Sequence, residues 1–213
     1  MAAAGAGETV LVHGLWFGCW AMGRVASGLR DAGQRTRCFG YPSTRGGLPE
    51  HAAALRRFAG RSSAQTLNFV GHSLGGLVIL RMLADAEELP PGRVVLLGSP
   101  LRGSGVVRRA VRLPGAGAFL GDSLAALNEG FEAVPADRET GMIAGSRQFG
   151  LGWLAGGVGG PGDGTVAVAE TRVPGLADHC VLPVSHSGLV FSRRVIRRAV
   201  NFLQTGRFDV RDA

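Results

Sequence analysis

The chain has no lysine: all 23 of its basic residues are arginine, set against 16 acidic residues for a formal net charge of +7. It has one tyrosine, and aromatic residues make up only 7% of it. Proteins that hold single-stranded nucleic acid interleave basic residues with aromatics on which bases stack. That interleaving is missing, so no nucleic-acid partner is expected, although positive charge permits attraction to anionic surfaces. No apolar run reaches the roughly 18 to 20 residues of a membrane span. The opening MAAAGAGETV has neither the basic nor the long apolar region of a secretory leader. The expectation is therefore a cytoplasmic protein, or a secreted one if a leader was removed. Cysteine is scarce as well. Cys19, Cys38 and Cys180 are odd in number and lack metal-ligand spacing, which predicts reduced, structural thiols and no metal site.

What is present fits a single domain. At 213 residues with 46% apolar content and a mean hydropathy of +0.17, the chain can bury a three-layer α/β core without disulfides or metals. Short strand-like runs alternate with helical ones. Thr9 to Val12 reads as a buried strand, residues 19 to 31 as an amphipathic helix, and Arg35 to Phe39 as a second strand. A helix over 49 to 59, a strand over 66 to 70, a helix from Leu77 to Leu83 and a strand over Arg93 to Leu97 follow. Residues 141 to 145 and Cys180 to Val184 read as further strands, and 188 to 204 as the last helix. This alternation predicts a mainly parallel sheet with helices on both faces. Ligands of such sheets bind beyond the strands' carboxyl ends, where the strand order reverses.

Residues 101 to 140 break the rhythm and predict an insertion. Within it Val106, Val107, Ala110 and Val111 alternate with Arg108, Arg109 and Arg112, a short basic amphipathic helix. It is expected to form a cap or lid, with an ordinary solvated helix and a lipid-surface contact as alternatives.

One stretch points to chemistry. In TLNFVGHSLGGLVILRML, residues 66 to 83, a strand runs into Gly71-His72-Ser73-Leu74-Gly75 and out into a helix. The bare pattern G-x-S-x-G would arise by chance roughly 0.3 times in so glycine-rich a chain, so its context carries the weight. A strand, a strained turn and a helix make a nucleophile elbow with Ser73 at the apex, and Gly71 and Gly75 sit where strand and helix crowd each other.

A serine hydroxyl needs a base within hydrogen-bonding reach. Of the five histidines, His186 lies just past the carboxyl end of a predicted strand. His13 is expected to brace the loop after the first strand, and His72 to point away from the apex. His51 is expected in or before a surface helix, and His179 at the start of the last strand. The base needs an orienting acid. Asp163, in Gly162-Asp163-Gly164-Thr165-Val166, follows a strand region, with a plain Asp-Gly turn as the alternative. Asp178 competes but precedes the last strand. Two backbone donors are expected at a developing oxyanion: Leu74, which opens the elbow helix, and Leu15, after His13-Gly14. Leu15, Trp16 and Phe17 supply apolar lining for a substrate pocket.

The blocks VLVHGLW (10 to 16), LNFVGHSLGG (67 to 76), VVLLGSPLRGS (94 to 104), IAGS (143 to 146), DGTV (163 to 166) and SHSGLV (185 to 190) resemble the α/β-hydrolase superfamily. They are most similar to its small bacterial lipases and esterases. The resemblance spans the chain from first strand to last helix. It implies a minimal, six-stranded fold and a Ser73, Asp163 and His186 triad. It also implies an oxyanion hole at Leu15 and Leu74, no cofactor, and small acyl-ester substrates. A thioesterase or acyltransferase using the same triad, and a non-catalytic scaffold, are the alternatives.

Overall fold

The computed structural model describes residues 7–85, 89–111, 121–150 and 157–209. Six strands form one sheet: β1 (Glu8–Val12), β2 (Arg35–Phe39), β3 (Leu67–His72), β4 (Val94–Leu97), β5 (Thr140–Gly145) and β6 (Asp178–Leu182). The order is β2-β1-β3-β4-β5-β6, and every pairing is parallel. Burial follows position. The inner strands β1, β3, β4 and β5 are buried at every residue, as strands covered on both faces must be. The edge strands β2 and β6 are each buried at one residue of five.

Helices cover both faces. On one lie α2 (Leu48–Ala59) and α3 (Leu74–Ala84), which bury Leu55, Ala59, Leu77 and Leu80 against Val10, Val12, Phe69, Leu96 and Met142. On the other lie α1 (Gly23–Asp31) and the terminal helix, with Val25, Leu29, Val195 and Phe202 against Leu11, Val70, Val95, Leu97 and Ile143. The strand residues alternate between the two clusters with the period of two that a pleated strand imposes. At about 25 cal/mol per Å² of apolar surface, these two clusters are the main stabilising term.

Residues 101 to 140 carry α4 (Gly105–Ala110) and α5 (Ser123–Glu129). Both sit on the α2/α3 side, where Val107, Ala126 and Leu127 join that cluster. Arg108 and Arg109 of α4 are exposed. The expected Arg112, together with the rest of 112–120, lies outside the described residues, as do 151–156 in the glycine-rich run GLGWLAGGVGGPGDGTV (150 to 166).

Some boundaries move. The last strand begins two residues earlier than its apolar run suggests, because Asp178 pairs with Gly141 of β5 and Pro183 follows directly. The expected terminal helix is two pieces, a 3-10 turn at Ser187–Val190 and α6 (Arg193–Thr205). Ser192 caps α6 by accepting the Val195 N–H. The expectation of three free thiols is wrong. Cys19 and Cys38 form a disulfide, and Cys180 alone is free. The pairing joins the turn before α1 to β2, two segments that meet only once the sheet has assembled.

Candidate active site

The strand order reverses at β1, whose neighbours β2 and β3 lie on opposite sides. The loops leaving β1 and β3 therefore flank one crevice, and their contact is close. A Cβ on Gly14 would lie 2.8 Å from His72 Nδ1 and 3.1 Å from Ser73 Cβ. Any larger residue at position 14 would force the two loops apart.

Ser73 stands between β3 and α3 at φ 52°, ψ −121°. Glycine adopts such a backbone freely and serine does so only under constraint. The constraint is close packing of strand and helix. A Cβ on Gly71 would come within 2.7 Å of the Gly76 backbone, and one on Gly75 within 2.4 Å of the Val12 carbonyl oxygen. Ser73 is 8% exposed.

Asp163 and His186 meet over the ends of β4, β5 and β6. His186 Nδ1 lies 2.7 Å from Asp163 Oδ2, with Asp163 1% exposed. A carboxylate accepts, so Nδ1 carries the proton and Nε2 is left bare in the neutral ring. Asp163 also makes the tight turn that its Asp-Gly sequence suggests. Its Oδ1 accepts from the Thr165 and Val166 amides at 2.9 and 2.8 Å. One carboxylate oxygen shapes the loop while the other faces the histidine. Two glycines make the room. A Cβ on Gly98 at the end of β4 would lie 3.1 Å from Asp163 Oδ2, and one on Gly145 at the end of β5 would lie 2.6 Å from Asp163 Cβ. Neither glycine was singled out in the sequence, where nothing local marks it.

The loop after β1 is braced from several sides. His13 is buried, and its Nδ1–H donates to the Gly14 carbonyl at 2.9 Å. Tyr41 stacks on its ring at 4.5 Å, and the Tyr41 hydroxyl donates to the His13 carbonyl. Burial, first of all, holds the His13 pKa below its usual value, so the ring is a neutral brace. Trp16 takes φ 59°, and its N–H donates to Ser43 Oγ at 3.0 Å. The Phe17 N–H donates to the Gly14 carbonyl. The two amides after Leu15 are thus committed. Leu74 is the first residue of α3, and a helix's first N–H groups have no intrahelical acceptor.

Of the expected pocket residues, Trp16 is 39% exposed, while Phe17 is half-buried and stacked on His72 at 5.5 Å. Beyond the His186 turn opens a groove of about 520 Å³ lined by Arg147, Phe149, Val184, Ser185 and Phe191. His51 and His179 lie elsewhere. His51 is buried in α2 beside Tyr41, not on a helix surface. His179 sits in β6, 2.9 Å from Thr171 Oγ1. Asp178 opens β6 at the opposite sheet edge, where it accepts from the Phe208 amide. Among the described residues no group of three or more His, Cys, Asp or Glu could hold a metal ion.

No protein-family model and no curated protein matches the sequence. Solved structures do match the shape. A metagenomic carboxyl esterase, MGS0156, superposes with a TM-score of 0.68 at 19% identity, covering 87% of this chain and 65% of its own. This chain therefore spans about two thirds of that esterase's length. The type II thioesterase BorB of the borrelidin biosynthetic cluster gives 0.68 at 17% identity, over 96% of this chain and 94% of its own. An esterase of Pyrococcus furiosus, PF2001, gives 0.64 at 17%, over 94% and 82%. The chain has the α/β-hydrolase fold. Within that fold the six parallel strands, with helices on both faces, agree with the architecture expected from the sequence.

Proposed function

We propose that this chain is a serine hydrolase that cleaves carboxylic esters through an acyl-enzyme on Ser73. The observation that carries the reading is the buried Asp163–His186 pair, 2.7 Å apart, linked through His72 to a serine held at φ 52°. A buried carboxylate facing Nδ1 fixes the tautomer a general base needs, and a strained elbow presents a nucleophile.

In this mechanism Ser73 Oγ bonds to the ester carbonyl carbon as its proton passes to His186 Nε2. Asp163 keeps the imidazolium oriented and balances its charge. The carbonyl oxygen, now anionic, accepts from the Leu15 and Leu74 amides, and losing one such donor costs roughly 3 kcal/mol of transition-state stabilisation. The intermediate collapses, the C–O bond to the alcohol breaks, and Nε2–H protonates the departing oxygen. Water then attacks the acyl-serine by the same steps in reverse roles. Trp16 and Phe17 line the acyl or aryl site, α4 and α5 act as its cap, and no cofactor takes part. The Cys19–Cys38 bond fits an oxidising compartment, hence the secreted alternative over the cytoplasmic one.

The test is turnover of a p-nitrophenyl ester series by the wild type and Ser73→Ala. The expected result is loss of all but background turnover in the variant, and equal rates would sink the reading. A thioester substrate is the second reading. It is favoured by the thioesterase neighbour, which matches 94% of its own length to this chain. Acyl-coenzyme A compounds assayed beside oxygen esters, with water and alcohol acceptors compared, separate hydrolysis of either bond from acyl transfer. Failure of a fluorophosphonate probe to label Ser73 would favour a non-catalytic scaffold.

A further inference from the structure

His72 is buried beside the reacting groups and takes no part in the proton transfers above. It is 1% exposed, and its ring lies between the two loops that bound Ser73. On one side its ring stands 4.9 Å from that of His186. On the other it stacks on Phe17 at 5.5 Å and 15° between planes, while Nδ1 faces Gly14. Nε2 lies 3.1 Å from the His186 carbonyl oxygen. A carbonyl only accepts, so Nε2 carries the proton and donates.

This bond has a counterpart. The His186 N–H donates to the Asp163 carbonyl at 2.9 Å. Both main-chain polar groups of His186 are therefore anchored, one on Asp163 and the other on the residue that precedes Ser73. The His186 carbonyl also accepts from Leu189 at 3.3 Å, within the 3-10 turn that carries the chain away. The base is thus held through its backbone as well as through its ring.

We propose that His72 is the positioning residue for His186, its Nε2–H tying the main chain of the base to the elbow so that the imidazole ring meets Ser73 in one geometry. The inference rests on the serine-hydrolase reading. Displacing a reacting group by about 1 Å costs on the order of 100-fold in rate, so a tether at this point acts on turnover more than on substrate binding. The tether must also stay uncharged while its neighbour ionises. Burial above all, and next the charge of His186, bring the His72 pKa down to about 3, with Asp163 and the His186 carbonyl opposing and His13 adding to the shift. When His186 takes the serine proton it therefore faces a neutral ring and not a second cation.

The experiment compares His72→Phe, which keeps the ring and its stacking but removes the donor, with His72→Gln, whose amide reaches the same carbonyl. Steady-state kinetics, the rate of fluorophosphonate labelling and the thermal midpoint are measured on wild type, both variants and Ser73→Ala. The expected result is a kcat about 10- to 100-fold lower in His72→Phe with KM within about twofold and labelling slowed in proportion. In His72→Gln most of the lost rate returns. Should His72→Phe fail to fold, His72→Asn, whose shorter amide falls short of the carbonyl, replaces it in the comparison with His72→Gln. Wild-type kcat in His72→Phe, or equal losses in the donor and non-donor variants, overturns the proposal. Turnover surviving in Ser73→Ala instead overturns the hydrolase reading beneath it.

Discussion

The two loops that bound Ser73 share hydrogen bonds and close steric fits, but only one of them also has a covalent tie. The loop after β1 adds covalent and steric constraints to its hydrogen bonds: a disulfide at Cys19, a backbone at φ 59° in Trp16, and a glycine at position 14 that tolerates no side chain. The loop carrying His186 is fixed by hydrogen bonds to Asp163 and His72. The first arrangement resists disturbance until a bond or a shape is changed. The second depends on protonation state and on the identity of single polar atoms. On the proposed reading catalysis at Ser73 needs both, and different perturbations should fail them separately.

The largest effect is expected on the hydrogen-bonded side. Asp163→Asn keeps the turn-forming oxygen but offers Nδ1 no carboxylate, and kcat should fall by about 10⁴, or about 5.5 kcal/mol of barrier. Its thermal midpoint should move little. Burst kinetics with an activated ester would check the rate, and a fall of less than tenfold would remove Asp163 from its role. Next comes the covalent side. Reducing Cys19–Cys38 opens a link between residues 19 apart in sequence, with an expected loss of about 3 kcal/mol of stability. For a chain of this size that lowers the midpoint by roughly 6 to 12 °C. Calorimetry with and without reductant reads it, and an unchanged midpoint would show that the bond bears no load. Gly14→Ala tests the steric element. A methyl 2.8 Å from His72 Nδ1 should part the loops and lower kcat about 100-fold, near 2.7 kcal/mol, whereas the Asp163–His186 bond should persist.

Acid should loosen the hydrogen-bonded side first. His72 has its folded pKa at about 3 against 6.5 when unfolded, so between these values the unfolded chain binds the extra proton. Stability should therefore be fully present above about pH 6.5 and decline as the pH drops toward 3, with about 2 kcal/mol lost from this residue at pH 5. His179, lowered to about 4 by burial and by Arg172, should add to the same slope. Urea denaturation at pH 7 and pH 5 measures it, with His72→Gln flattening the difference. A slope unchanged in that variant would assign the acid sensitivity to other groups.

How much of this could be read from residues follows the same division. Ser73 is announced by its own neighbours, since a strand, two flanking glycines and a helix are local signals. The contact between Asp163 and His186 was suggested by a parallel sheet that delivers strand ends to one edge, although Asp163 stands well past the end of β5. The two-residue shift of β6 was not legible, because pairing with β5 sets it and not the apolar run. Nor was the disulfide, because spacing says nothing about two segments that only sheet assembly brings together. His72 was expected to point away from the apex. That was an argument about its own turn, and its hydrogen-bonding partner lies 114 residues away in sequence. Gly98 and Gly145 were invisible for the same reason. A glycine's purpose is the atom that a Cβ would meet, and that atom belongs to a distant loop.

The backbone of Ser73 has one more consequence. Alanine at that position would inherit the unfavourable φ and ψ, but glycine would not. Ser73→Gly should therefore fold into a protein without turnover and about 1 kcal/mol more stable than the wild type, readable as a higher denaturation midpoint beside Ser73→Ala. The residue that would make this chain useful is then also the one that makes it less durable. Stability alone would favour glycine here, and on the proposed reading the serine is held for its chemistry.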